Sequence, residues 1–140
     1  MLKVAETDRE IEGCFDVMSE LRPHLVKDEF VPLVRSMQSE GYRMAYVEED
    51  GAVVAVAGYR ISTNLHLGKH LYLNDFVTTA PARSGGHGVQ LLGWLRRLAV
   101  DSGCKTFDLD SGTHRGRAHK FYFEHGFVIA SYHFSERLTD

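Results

Sequence analysis

The chain has 140 residues, 44% of them apolar and 25% charged, and a net charge of −3. That is enough for one domain, residues 1–140, with a true core, and the composition is that of a globular protein. It carries no lysine/arginine block and no apolar run of spanning length, so neither nucleic acid nor a membrane finds support as a partner.

Leu2 to Ala5 reads as a short first strand. Thr7-Asp8-Arg9-Glu10 has the form of a capping box and should open a helix. Ile11, Phe15, Met18 and Leu21 then make one apolar stripe, and Pro23 lies just past its end. A second helix is expected from Lys27 to Glu40, with Phe30, Val34 and Met37 inward. Pro32 falls inside that run, so the helix could start as late as Val31. Gly41 is its natural stop.

Tyr42 to Glu48 reads as a strand, Asp50-Gly51 as a two-residue hairpin turn, and Ala52 to Ile61 as the return strand. Asn64 to Lys69 makes a looser connection. His70 to Thr79 is a further strand, closed by Pro81. On it Leu71, Leu73, Asp75 and Val77 should share one face. Asp75 would then be a carboxylate among aliphatic neighbours, with its pKa raised toward that of a useful base. Pairing with a backbone amide or an arginine is an equal reading of the same residue.

Arg83-Ser84-Gly85-Gly86-His87-Gly88-Val89 follows. Glycines there leave amides unshielded, and a helix opening straight after adds unpaired N–H groups at its positive end. With Arg83 as a charged fork, the stretch is a candidate pyrophosphate seat. His87 either contacts a phosphate or is merely solvated, and the whole loop could be only a tight turn. The helix from Val89 to Val100 buries Leu91, Leu92, Leu95, Leu98 and Ala99 and ends at Gly103. Lys105 to Leu109 is a strand, Arg115 to His125 a helix, and Phe127 to Phe134 a last strand.

The order β-α-α-β-β-β-α-β-α-β predicts an α/β (α+β) protein: a mixed central sheet with helices on both faces. The crossover around the glycine loop should be right-handed. Asp110-Ser111-Gly112-Thr113-His114-Arg115 falls at the carboxyl end of a strand, where such sheets place ligands, although an N-cap and turn explain it equally well. A dinucleotide fingerprint is the rival reading of Gly86 and Gly88, with Asp108 or Asp110 as the ribose acid. It leaves Arg83 unexplained. The histidine pairs His66/His70 and His114/His119 lack completing ligands, so no metal is expected. Cys14 and Cys104 are far apart and fit a cytoplasmic chain with free thiols. Met1 to Glu6 lacks a signal-peptide core, which also favours the cytoplasm.

Two motifs then stand in order. Arg83, Gly86 and Gly88 match Arg/Gln-x-x-Gly-x-Gly/Ala at a strand-to-helix turn. Ala118, Phe121, Tyr122, Gly126 and Phe127 match Asn-x-x-Ala-x-x-Phe-Tyr-x-x-x-Gly-Phe, with Arg115 in place of the asparagine. From Leu71 to Phe134 the chain resembles the GNAT superfamily of acyl-CoA-dependent N-acyltransferases, as a small bacterial-type single-domain member.

The resemblance implies acetyl-CoA as acyl donor and an amine of a small molecule or protein as acceptor. It implies a diphosphate held by Arg83 and the amides of Gly85 to Val89, with Ser84 in the same loop. The pantetheine arm would pair with the strand edge at Phe76, Val77 and Thr79, with the Val77 N–H as oxyanion donor. Tyr122 would be the general acid; Asp75 is the base candidate, a base acting through water is equally compatible, and Glu48 and His119 are weaker candidates. Ser111, Arg115, His119 and Phe121 complete the expected cofactor contacts. Attack would be direct, within a ternary complex. Homodimers are common in the family. The alternative is a non-catalytic acyl-CoA sensor or interaction module on the same fold.

Overall fold

The computed structural model describes residues 1–140. The chain forms two compact units, Met1–Asp108 and Leu109–Asp140. The first opens with β1 (Leu2–Val4), α1 (Asp8–Gly13), α2 (Phe15–Leu21) and α3 (Lys27–Gln38). The capping box forms as the sequence predicts: Thr7 Oγ1 accepts from the Glu10 N–H at 3.1 Å, and Glu10 Oε1 accepts from the Thr7 N–H at 2.9 Å. The single predicted helix is two, broken at Gly13 and Cys14. Glycine is a weak helix former, and the Cys14 thiol bonds back to the Glu10 carbonyl at 3.4 Å. Ile11 and Met18 are buried as expected, but so are Cys14 and Val17, which widen the stripe. α3 starts at Lys27, leaving Pro32 inside it rather than at its first turn.

β2 (Tyr42–Glu49), β3 (Ala52–Asn64) and β4 (Gly68–Thr78) follow. Asp50 and Gly51 both take positive φ, at 51° and 80°, which is the geometry the predicted two-residue turn requires. A short 3₁₀ turn (Ala80–Ala82), α4 (His87–Asp101) and β5 (Thr106–Leu109) complete the sheet, whose order is β1-β2-β3-β4-β5. The first four strands pair antiparallel. β5 arrives through the α4 crossover, the connection a parallel neighbour needs.

Helices cover both faces. On one, α1–α3 bury Ile11, Val17, Met18, Phe30 and Val34 against Tyr42, Met44, Tyr46, Val56 and Val77. On the other, α4 buries Leu91, Leu92, Leu95 and Ala99, and Trp94 meets Tyr59 edge-on at 6.1 Å.

β4 corrects the expected alternation. Leu73 pairs with Tyr59 and Asp75 with Gly58, so Asn74 is an extra residue opposite an unbroken β3. A bulge of this kind reverses which face later side chains take. Leu73 thus lies beside Tyr59 on the α4 face, whereas Asp75 and Val77 face α1–α3.

In the second unit only α5 (Gly116–Glu124) is regular. The predicted last strand is absent: residues 127–134 form no ladder, and Val128, Ile129, Tyr132 and Phe134 are exposed. Alternating apolar residues supply a propensity, but a strand exists only through a hydrogen-bonded neighbour. No helix is long and apolar enough to cross a membrane.

Candidate active site

Three features of the first unit converge on β4. The first is the part of its edge that β5 does not reach. β5 starts beside Lys69, whose carbonyl accepts from the Lys105 N–H at 2.7 Å. β5 is only four residues long, so it reaches about as far as Leu73. Residues 75–78 have β3 on one side and no strand on the other. The Thr79 N–H donates to Val54 at 2.8 Å. Ladder alternation therefore turns the Val77 N–H toward β3 as well, and the Phe76 and Thr78 N–H groups away from it. The Val77 N–H thus does not face away from β3, as the expected oxyanion donor would have to. Thr79 leaves the edge set too, because its hydroxyl donates to Glu20, which also accepts from the Ala80 N–H at 3.0 Å.

The second feature is the glycine loop. Gly86 adopts φ +79°, a left-handed conformation that glycine takes at no steric cost, and serves as N-cap of α4 without a side-chain bond. α4 begins at His87, inside the predicted loop, so His87, Gly88 and Val89 form its first turn. Their amides have no intrahelical acceptor. The Gly85 amide is not among them, since it donates to the Ala82 carbonyl at 3.1 Å. Gly85 instead gives room: a Cβ there would lie 2.6 Å from His87 Nε2. Arg83, Ser84, Gly85 and Gly86 are exposed, and no carboxylate pairs with Arg83.

The third feature is a cavity of about 370 Å³ between α2, α3 and the sheet, lined by ten residues. Six are apolar: Met18, Leu25, Phe30, Leu33, Val34 and Met37. Asp75, Tyr42, Arg22 and His24 supply the polar part. Asp75 Oδ1 accepts from Arg22 Nε at 3.0 Å, and Oδ2 accepts from the Tyr42 hydroxyl at 2.8 Å. Arg22 also donates to the Asn74 carbonyl at 3.1 Å, and the Arg60 guanidinium lies 5.3 Å over the Tyr42 ring. Burial, then the Asp75 charge, hold the Tyr42 hydroxyl far above the usual tyrosine range. Asp75 is thus paired, with an arginine that the sequence offered no means to locate 53 residues away.

In the second unit, Tyr122 is buried edge-on between Phe121 and Phe127, each ring 5.7 Å away. Burial raises its pKa, against a smaller opposing pull from Arg115. Arg115 is the N-cap of α5, its N–H on the Gly112 carbonyl at 3.0 Å. His119 Nε2 lies 2.7 Å from the same carbonyl, a bond that occupies one ring nitrogen of a weaker base candidate. The Ser111 hydroxyl is buried with no partner, a polar atom whose bond remains to be made. Glu48, the other weak base candidate, is on β2 beside the Val47/Glu48 bulge. No group of three or more His, Cys, Asp or Glu gathers as for a metal.

These features fit a coenzyme A thioester. Unpaired first-turn amides and an unpaired arginine suit a diphosphate, and a strand edge beyond β5 suits the amides of an extended arm.

The profile of the Acetyltransferase (GNAT) family matches residues 10–127. A protein of Bacillus subtilis strain 168 named as the uncharacterized N-acetyltransferase YhdJ is 35% identical over 135 residues, 95% of each chain. An aminoalkylphosphonate N-acetyltransferase of Salmonella typhimurium is 28% identical over 98 residues, covering 69% of this chain and 62% of its own. Among solved structures, the aminoglycoside N-acetyltransferase AAC(6')-Iy bound to CoA superposes with a TM-score of 0.84 at 15% identity, over 98% of this chain and 94% of that one.

Proposed function

The chain belongs to the GNAT acetyltransferase family, and is thereby an acyl-CoA-dependent acetyltransferase; from that premise we propose that it moves the acetyl group of acetyl-CoA to a primary amine by direct attack in a ternary complex. The observation that supports this reading is the order along one stretch of chain: Asp75 of the cavity, the end of β4 beyond the reach of β5, then the Arg83 loop and the first turn of α4.

In this reading the first-turn amides of α4 and Arg83 hold the diphosphate. The pantetheine lies along the β4 edge, and the N–H of Phe76 or Thr78 polarises the thioester carbonyl. The neutral amine nitrogen attacks that carbonyl carbon. A C–N bond forms, the C–S bond breaks, and the electron pair leaves on sulfur. The proton shed by nitrogen goes to solvent or to a base, and the thiolate takes one from the Tyr122 phenol. A raised pKa suits that role, since the phenol stays protonated at neutral pH. Asp75 would position the amine rather than act alone as base, because both of its oxygens already accept bonds.

An acyl-enzyme is disfavoured. Cys14 is buried and its thiol is pushed up to about 12 by burial, so it supplies no thiolate. Initial rates of thiol release, with acetyl-CoA and amine varied together, test the order of events. Intersecting lines are expected. Parallel lines would indicate a covalent intermediate. Tight CoA binding without amine-dependent turnover would favour the sensor.

A further inference from the structure

Resting on the acetyl-transfer reading, we infer that the acceptor is a monoamine with an apolar alkyl or aryl body, seated in the cavity under Asp75 between α2 and α3. The bulge at Asn74 puts Asp75 on the same face as this cavity, three residues before Thr78, whose N–H points away from β3. Three residues of strand span roughly 10 Å, so an amine whose nitrogen leaves Asp75 toward Thr78 can reach a thioester lying along the β4 edge.

The walls choose the body. Six of ten lining residues are apolar, and Leu33 and Leu25 sit toward solvent where an entering ligand meets them first. A volume of about 370 Å³ is at the low end for small-molecule sites. The polar groups choose the head. Asp75 is the one carboxylate of the lining, and Arg22 already neutralises it. A polycation would find no unpaired anion there, and an acidic amine would meet an arginine whose Nε and one terminal nitrogen are occupied. A single amine can take a remaining lone pair of Asp75 while its body fills the apolar volume. Such walls also disfavour the ammonium form, leaving the free base that attack requires. The nitrogen loses one proton as it becomes the amide, and the acyl group arrives from acetyl-CoA, so no other reactant is needed.

The test is thiol release from acetyl-CoA with hexylamine, 2-phenylethylamine, ethanolamine, aminomethylphosphonate, spermidine and neamine. The two apolar monoamines should exceed every other amine in kcat/KM by about tenfold or more. Leu33→Asp, at a 46% exposed site where folding tolerates charge, should raise the KM for 2-phenylethylamine by about tenfold, beyond any change for acetyl-CoA. Equal or better turnover of the polar amines overturns the pocket assignment alone. A KM for 2-phenylethylamine unmoved by Leu33→Asp overturns it too, even if apolar amines lead the panel. Thiol release with no amine at all overturns it together with the reading on which it rests.

Discussion

Gly58 shows how little room the polar cluster leaves. A Cβ added there would stand 1.7 Å from the Tyr42 hydroxyl oxygen and 2.7 Å from Asp75 Oδ2. Gly58→Ala must therefore push Tyr42 off Asp75 or bend β3, and should cost about 1–3 kcal/mol, read as a lower urea midpoint. An unchanged midpoint would mean that the Tyr42–Asp75 bond is not held as described. Arg83 is the opposite case. It is exposed and unpaired, so Arg83→Ala should leave the urea midpoint in place while raising the Kd for acetyl-CoA about tenfold, the worth of one charged hydrogen bond. Calorimetric titration showing no change would remove Arg83 from the diphosphate site. Tyr122→Phe keeps the ring between Phe121 and Phe127 and deletes only the hydroxyl. Turnover should fall about a hundredfold with little change in acetyl-CoA affinity. Turnover that survives intact would make water the acid.

Among the elements, β4 governs the arrangement. Its bulge sends Leu73 toward α4 and Asp75 and Val77 toward α1–α3. Deleting Asn74 would close the bulge and leave Asp75 opposite Gly58, but it would remove the carbonyl that accepts from Arg22 and the amide oxygen that accepts from Arg60. A hydrogen bond to a charged group is worth about 1.5–3 kcal/mol, so the deletion should lower the denaturation midpoint and weaken amine-dependent thiol release through a displaced Arg22. Circular dichroism melting that matches the parent would show that Arg22 and Arg60 do not depend on Asn74 for their placement. The elements themselves were largely legible in the sequence. The Thr7–Glu10 box, the Asp50-Gly51 turn and the Gly41 and Gly103 stops each express local chemistry, and local chemistry can be read from neighbours. The bulge was not legible, because Asn74 becomes an extra residue only by comparison with β3. Neither was the Arg22–Asp75 pair, nor the commitment of the Gly85 amide to Ala82. These depend on what lies across space. The absent strand at residues 127–134 follows the same rule from the other side, pattern without partner.

At the scale of the molecule, burial has set several acid–base groups in one direction. Tyr42, Tyr46, Tyr59 and Tyr122 all titrate above the usual tyrosine value, Tyr46 at about 12, and burial is the largest cause in each. The Cys14 thiol is likewise pushed up to about 12. A group whose folded pKa is raised contributes stability that is complete below its unfolded pKa and is lost as pH climbs through the folded one. Loss should thus begin above about pH 8.5 for the thiol and about pH 10 for the phenols. Glu10 works in the opposite sense. Its carboxylate accepts the Thr7 and Glu6 amides, which lowers its pKa, so its contribution is present above about pH 4.3 and fades as pH falls. Stability should therefore be level from about pH 5 to pH 8.5 and fall steeply above about pH 10. Urea midpoints across pH 5–11, with tyrosinate absorbance followed at each step, check this. Buried phenols should ionise together with unfolding rather than ahead of it, and Tyr42→Phe should make the alkaline fall shallower than in the parent. Tyrosinate appearing while the urea midpoint holds steady would mean that these rings are open to solvent, and that the sheet is not sealed by α1–α3 as the packing around Tyr42 and Tyr46 requires.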